Sequence, residues 1–145
     1  MKLGKHFTLD ELTHSQVASR AGLKNEPTAK EIESLKLLVE KILDPLRVAA
    51  GAPVVVSSGF RNKRVNDLVG SNDSSQHRLG EAADITIPGM TTDEIVALIR
   101  RKALPFDQLI EEFGSWVHVS YGPRNRRQVL RARKVGARTV YTPLP

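Results

Sequence analysis

Asp84 stands at the head of a short apolar run, Asp84-Ile85-Thr86-Ile87, that reads as a β-strand. A carboxylate carried inward by such a strand needs a partner, because burying an isolated charge is prohibitively costly. The residues before it offer one. In Ser75-Gln76-His77-Arg78-Leu79-Gly80-Glu81-Ala82-Ala83-Asp84 a histidine precedes the aspartate by seven positions, and Gly80 and Ala82 keep the intervening backbone unobstructed. A second histidine, His118, lies in another strand-like run, Trp116-Val117-His118-Val119-Ser120. Two imidazoles and one carboxylate make a three-ligand set for one zinc ion that leaves a fourth position for water, the arrangement of catalytic rather than structural zinc. The chain has no cysteine, so thiolate metal sites and disulfides are excluded.

The rest of the sequence predicts what could carry such a site. At 145 residues the chain is expected to form one domain, 1–145, with enough length for a real core. Thr8 with Glu11 has the spacing of a capping box and predicts a short helix over 8–14, while Ser15 to Pro27 reads as loop. Thr28 and Glu31 repeat the spacing, and Ile32, Leu35, Val39, Ile42 and Leu46 recur at helical intervals, so 28–49 is the longest expected helix, bent or ended early by Pro45. Val54-Val55-Val56 predicts a short buried strand, 62–69 a helix carrying Val65, Leu68 and Val69, and 70–75 a polar loop. Thr91 with Glu94 heads a third helix to about Lys102, with Ile95, Leu98 and Ile99 inward. A hairpin follows, 106–112 with 116–121 around Phe113-Gly114-Ser115, and then two further strands at about 127–132 and 138–142. Helices early and strands late imply an α+β fold with a mainly antiparallel sheet and helices packed around it.

The fixed positions Ser75-x-His77-x-x-Gly80-x-Ala82-x-Asp84, then Trp116-x-His118, with Ser58-Gly59-Phe60-Arg61 upstream, resemble the zinc D-alanyl-D-alanine-type peptidases of the M15 family. The resemblance covers about 6–121. It implies the Hedgehog/DD-peptidase fold and a hydrolase with zinc on His77, Asp84 and His118, an ion that activates water and polarises a scissile carbonyl. It further implies that Arg61 contacts substrate near the metal. Each ligand histidine is expected to donate its other ring N–H to a carbonyl or carboxylate, with Ser75 or Ser120 contributing nearby. Asn66, Gln108 and Trp116 are further candidates for the substrate cleft. His6 and His14 lack such context and read as exposed or capping residues.

Many members of the family carry an acidic residue three positions before the second histidine, where this chain has Ser115. The general base must then come from Glu111 or Glu112. A three-residue turn at 113–115 pairs Glu112 with Trp116 and puts Glu112 on the face of His118; a two-residue turn at 114–115 puts Glu111 there instead. Because Phe113 fits poorly in a ladder interrupted by Gly114, Glu112 is favoured.

Substrate and setting follow from the resemblance. A bond in peptidoglycan stem peptides is the expected target, cut by a phage or prophage endolysin-type endopeptidase. The alternatives are a D-Ala-D-Ala carboxypeptidase, an inactive zinc-bearing wall-binding or virion module, and a nucleic-acid binder. The net charge of +6 is concentrated at 122–145, where Arg124, Arg126, Arg127, Arg131, Arg133, Lys134 and Arg138 face no acidic residue. Such a segment attracts polyanions, here an anionic wall polymer, with no specific nucleic acid expected. No apolar run approaches the roughly 20 residues of a membrane span. The start Met1-Lys2-Leu3-Gly4-Lys5-His6 has no apolar stretch behind it, so no signal peptide is expected. The expected protein is a monomer made in the cytoplasm that acts on the wall after release or as part of a virion.

Overall fold

A computed structural model describes residues 1–72 and 74–145. Three capping boxes open three of the helices as the Thr-x-x-Glu spacings require: Thr8 with Glu11 at α1 (Leu9–Thr13), Thr28 with Glu31 at α3 (Ala29–Leu38), and Thr91 with Glu94 at α6 (Thr92–Arg101). In each, the threonine oxygen accepts a backbone N–H three residues on and the glutamate returns the bond, satisfying two otherwise orphaned donors.

Between α1 and α3 the expected loop holds a short helix, α2 (Gln16–Arg20). The Ser15 side chain accepts from the Ala18 N–H, and Ala18 is buried, so capping and one inward methyl outweigh the turn residues nearby.

Pro45 neither ends nor breaks the long helix. The chain runs from α3 through a π-helical turn (Val39–Leu43) into α4 (Asp44–Ala50). The wider turn lets the Asp44 N–H reach back to the Val39 carbonyl, and Pro45, which has no N–H, sits in the first turn of α4 where none is needed. Leu35, Leu38, Val39, Ile42, Leu43 and Leu46 are all fully buried along this continuous rod.

Six strands form one sheet in the order β1-β2-β4-β3-β5-β6. They are β1 (Val55–Ser58), β2 (Ala82–Thr86), β3 (Gln108–Glu112), β4 (Trp116–Ser120), β5 (Gln128–Val135) and β6 (Arg138–Pro143). Every pairing is antiparallel except β3 with β5, which run parallel. The fold is therefore α+β with a mostly antiparallel sheet, as expected. The parallel pair arises because the chain leaves β4, crosses the start of β3 and enters β5 on its far side. The first strand lies one residue later than expected and at the sheet edge, which leaves Val55 exposed rather than buried. Helix α5 (Lys63–Leu68), capped by the Asn62 side chain, likewise buries Val65 but leaves Leu68 and Val69 in solvent.

Alternation divides the sheet. Ala83, Ile85, Leu109, Val117 and Val119 point to one face, where they join α6 and the α3–α4 rod in the core. The opposite face carries the polar residues in cross-strand rows. Asp84, His118, Ile110 and Leu130 lie side by side in one row, and Trp116, Glu112, Ala132 and Tyr141 in the next.

Asp107 holds the β4–β5 crossover in place. Its buried carboxylate accepts from the Arg126 backbone N–H (2.7 Å), from Arg126 Nε (3.0 Å) and Nη2 (2.9 Å), and from Gln76 Nε2 (2.8 Å). Burial disfavours the charge, but the Arg126 and Gln76 hydrogen bonds outweigh it and hold the pKa down at about 2. Asp107→Asn is expected to cost about 3 kcal/mol, the low end for removing one partner of a buried pair, since Arg126 keeps part of its side chain in water. In thermal unfolding that is a Tm lower by roughly 10 °C. Because the folded pKa is depressed, the ion's contribution is complete above the ordinary value of 3.8 and disappears as the pH falls through about 2. The gap between parent and variant should close over that window, and a gap that stays constant with pH would refute the assignment.

Candidate active site

The Ser75–Glu81 segment reaches the sheet as a series of turns. The Ser75 Oγ accepts the His77 N–H (3.3 Å), and the Gln76 carbonyl accepts the Glu81 N–H (2.9 Å). Gly80 is required here: its φ of +74° is left-handed, and a Cβ would lie 2.7 Å from the Glu31 carbonyl oxygen. From this turn the chain enters β2, and Asp84 pairs with His118 across to β4.

The His77, Asp84 and His118 ligand atoms all lie within 4.8 Å of one another. Asp84 Oδ1 is 3.2 Å from His77 Nε2 and 3.1 Å from His118 Nδ1. The remaining ring nitrogen of His77, Nδ1, donates to the Gly59 carbonyl (2.8 Å), which fixes the ring so that Nε2 offers its lone pair to the centre. Gly59 itself packs so closely on the Leu12 carbonyl that a Cβ there would clash. Burial works against the Asp84 charge, yet the two histidines overcome it and hold its pKa well below the carboxylate range. Two imidazoles and an ionised carboxylate converging on one point, with one ring locked by a backbone acceptor, are a donor set that fits a divalent metal ion.

These ligands lie in a cleft of about 680 Å³ that also exposes Arg61, Ser75, Gln108, Glu112 and Trp116. Glu112 pairs with Trp116 around the three-residue turn, which puts it on the face of His118. Burial raises its pKa against the opposing pull of His118 and Arg61. Glu111 points the other way, into the core, where it is fully buried. It accepts from Arg131 Nε (3.1 Å) and the Gly114 N–H (2.9 Å) and is paired with Arg133 at 2.7 Å. Arg61 is held by its backbone N–H, which donates to the His77 carbonyl (3.0 Å). Its Nε is buried without a partner among the described residues. Burial lowers the pKa of its guanidinium, which faces the charges of Asp84 and Glu112. Trp116 stacks edge-on against Phe113 at 5.5 Å, and its buried indole N–H lies beside Glu112, where it favours the charged carboxylate.

Residues 5–120 match the sequence profile of a family described as peptidase M15. The chain belongs to the peptidase M15 family. No curated protein matches it closely enough to count as a relative. As an M15 peptidase it is a metal-dependent hydrolase with a peptide substrate, and His77, Asp84 and His118 are its candidate metal site.

Asn66 requires a correction, because it does not open onto the M15 cleft. It is fully buried, and its Nδ2 donates to the Asn72 carbonyl (2.8 Å), so it braces the chain at Ser71 and Asn72 rather than meeting substrate. Ser120 is also buried and caps the Gln108 N–H (3.0 Å); the histidine partner is the Gly59 carbonyl, a backbone group that no side-chain pattern announces. Gln108 does line the cleft, with its amide donating to Gln128 (2.7 Å).

Sequence reasoning missed Arg124, Arg126, Leu130 and Tyr141, which line the same cleft from beyond the family-matched segment. Leu130 and Tyr141 were signalled only by alternation within β5 and β6, which without a register does not say which face is the cleft, and Arg124 and Arg126 lie in the connection before β5, where no periodicity marks them. Burial and the charges of Glu112 and Asp84 raise the pKa of the Tyr141 hydroxyl, which keeps it a hydrogen-bond donor at neutral pH.

Proposed function

We propose that this M15 peptidase is a zinc enzyme that hydrolyses a peptide bond in peptidoglycan stem peptides, as an endolysin-type endopeptidase. The observation that carries the reading is a convergent His77–Asp84–His118 donor set sharing one sheet face with Glu112. A zinc ion on those three residues supplies Lewis acidity to water and to the scissile carbonyl.

The side chains supply the rest. Glu112, whose pKa burial raises above the ordinary carboxylate value, takes a proton from the attacking water and returns it to the departing amine. Arg61, beside Asp84 and Glu112, orients the substrate and steadies negative charge that develops on the carbonyl oxygen. Trp116 and Ile110 give the peptide an apolar surface, and Ser75 and Gln108 give it polar edges. Stem peptides are short, carry several carboxylates and suit a cleft lined by three arginines. The intended place of action is the wall, reached after release from the cytoplasm or aboard a virion.

The test is zymography on purified peptidoglycan together with mass spectrometry of defined muropeptides. Zinc-loaded protein should clear the gel, a chelator should abolish clearing, and added zinc should restore it. Product masses then distinguish an internal cut from release of terminal D-alanine. No clearing and no new masses from the zinc-loaded protein would overturn the proposal in favour of an inert binding module.

A further inference from the structure

The cleft continues past the metal ligands, over Ile110 of β3 and Leu130 of β5, to Tyr141 of β6. Three arginines line it, and two already have charged neighbours in the protein. Arg126 is bound to Asp107 and Gln76, and Arg61 lies in the field of Asp84 and Glu112. Arg124 is exposed on the cleft wall and, among the described residues, has neither a carboxylate nor a hydrogen-bond partner.

An unpaired surface arginine is common, but the loop that presents this one is unusually constrained. Asn125 and Arg127 both adopt left-handed backbone, with φ of 45° and 55°, which costs free energy in residues that carry a Cβ. The surroundings enforce it. The Arg126 N–H is bound by Asp107, the Gln128 N–H by the Asp107 carbonyl (2.9 Å), and the Arg127 guanidinium lies 5.0 Å from the centre of the Phe106 ring. A backbone so held fixes where Arg124 leaves the chain. Strain maintained around a solvent-facing cation at a cleft is the pattern of a binding residue.

The geometry points to Arg124 as a carboxylate-binding residue for an acidic peptide that lies across Ile110 and Leu130 with its scissile bond at the His77–Asp84–His118 site. This rests on the peptidase reading of the cleft and adds a specificity element from outside the segment shared with the family. A guanidinium grips a carboxylate through two parallel N–H bonds, whereas the corresponding amide offers only one acceptor and no charge.

The experiment uses a synthetic stem tetrapeptide and a set of twins, each with one carboxylate converted to amide. Binding to metal-free protein is measured by calorimetry, and KM and kcat are measured with zinc-loaded protein. The parent should bind the acidic peptide about tenfold more tightly than one of the twins, a typical worth for one charge-assisted pair. Arg124→Gln should erase that difference and raise KM about tenfold with kcat within twofold, and Arg124→Lys should recover part of it. Among the described residues no side-chain hydrogen bond or ion pair involves Arg124, so the variants keep their structure. Equal binding of all twins by the parent, or undiminished discrimination by Arg124→Gln, overturns the inference. Discrimination that depends on Arg124 in a parent that hydrolyses nothing upholds the carboxylate site and overturns the peptidase proposal alone.

Discussion

Glu112→Gln is expected to lower kcat for peptide hydrolysis by about 10²–10⁴-fold, the usual contribution of a positioned general base, with metal binding and KM little changed. Glutamine keeps the shape and the place in the row beside Ala132 and Trp116 but cannot accept a proton. The neighbouring Glu111→Gln makes the control informative, because that carboxylate lies under the sheet bound to Arg131, Arg133 and the Gly114 N–H. Its neutralisation leaves Arg133 without its anion and Arg131 with Asp93 alone, and should appear as lost stability, with activity per folded molecule close to the parent's. Steady-state kinetics and thermal unfolding of both variants decide the matter. If Glu112→Gln retains parental kcat, or Glu111→Gln is the one that loses it in folded protein, the base is misassigned.

Asp84→Ala should remove the metal altogether. Asp84 Oδ1 is the atom on which both imidazoles converge, and without it only the two rings remain as donors. The parent should carry a single zinc per chain by elemental analysis, and the variant close to none. Zinc should also raise the parent's Tm, because a ligand that binds only the folded state stabilises it by mass action, about 4 kcal/mol at a thousandfold excess over Kd. The variant's Tm should not respond. Hydrolysis should fall below detection, but the thermal shift is the sharper readout because it does not depend on having the right substrate. A variant that still takes up zinc stoichiometrically would exclude Asp84 from the ligand set.

The ligands were legible in the sequence because the chemistry that needs them leaves a local trace. A carboxylate at the head of an apolar strand demands a partner, and His77 lies within one turn-and-strand of it. Parity did the same for Glu112: the poor fit of Phe113 beside Gly114 implied a three-residue turn, and the turn set the face. Helix starts were legible wherever Thr-x-x-Glu recorded a capping box. What the sequence concealed was long-range. The bond from Gln76 to Asp107 spans 31 positions and the bond from Arg126 to Gln76 spans 50, so no local pattern links them. The ion pairs of the basic segment were concealed for the same reason. Arg126, Arg131 and Arg133 face no acidic residue nearby in the chain, but they pair with Asp107, Asp93 and Glu111 from earlier elements. Three of the seven cations expected to attract a polyanion are thus paired inside the fold. Asn66 failed differently: the sequence placed it in the helix that follows Arg61, but not on which side of α5 it faced.

The seam between β3 and β5, where the family-matched segment meets the strands that follow it, divides the cleft between two stretches of chain with different freedoms. On one side lie the candidate ligands His77, Asp84 and His118, with Glu112 beside them. On the other, β6 is an edge strand and Tyr141 and Arg124 meet solvent, so neither is tied to the core. Lineages can therefore rewrite the outer half of the groove, one exposed side chain at a time, while inheriting the inner half intact. New diets for an old reaction would be expected to arise along that seam.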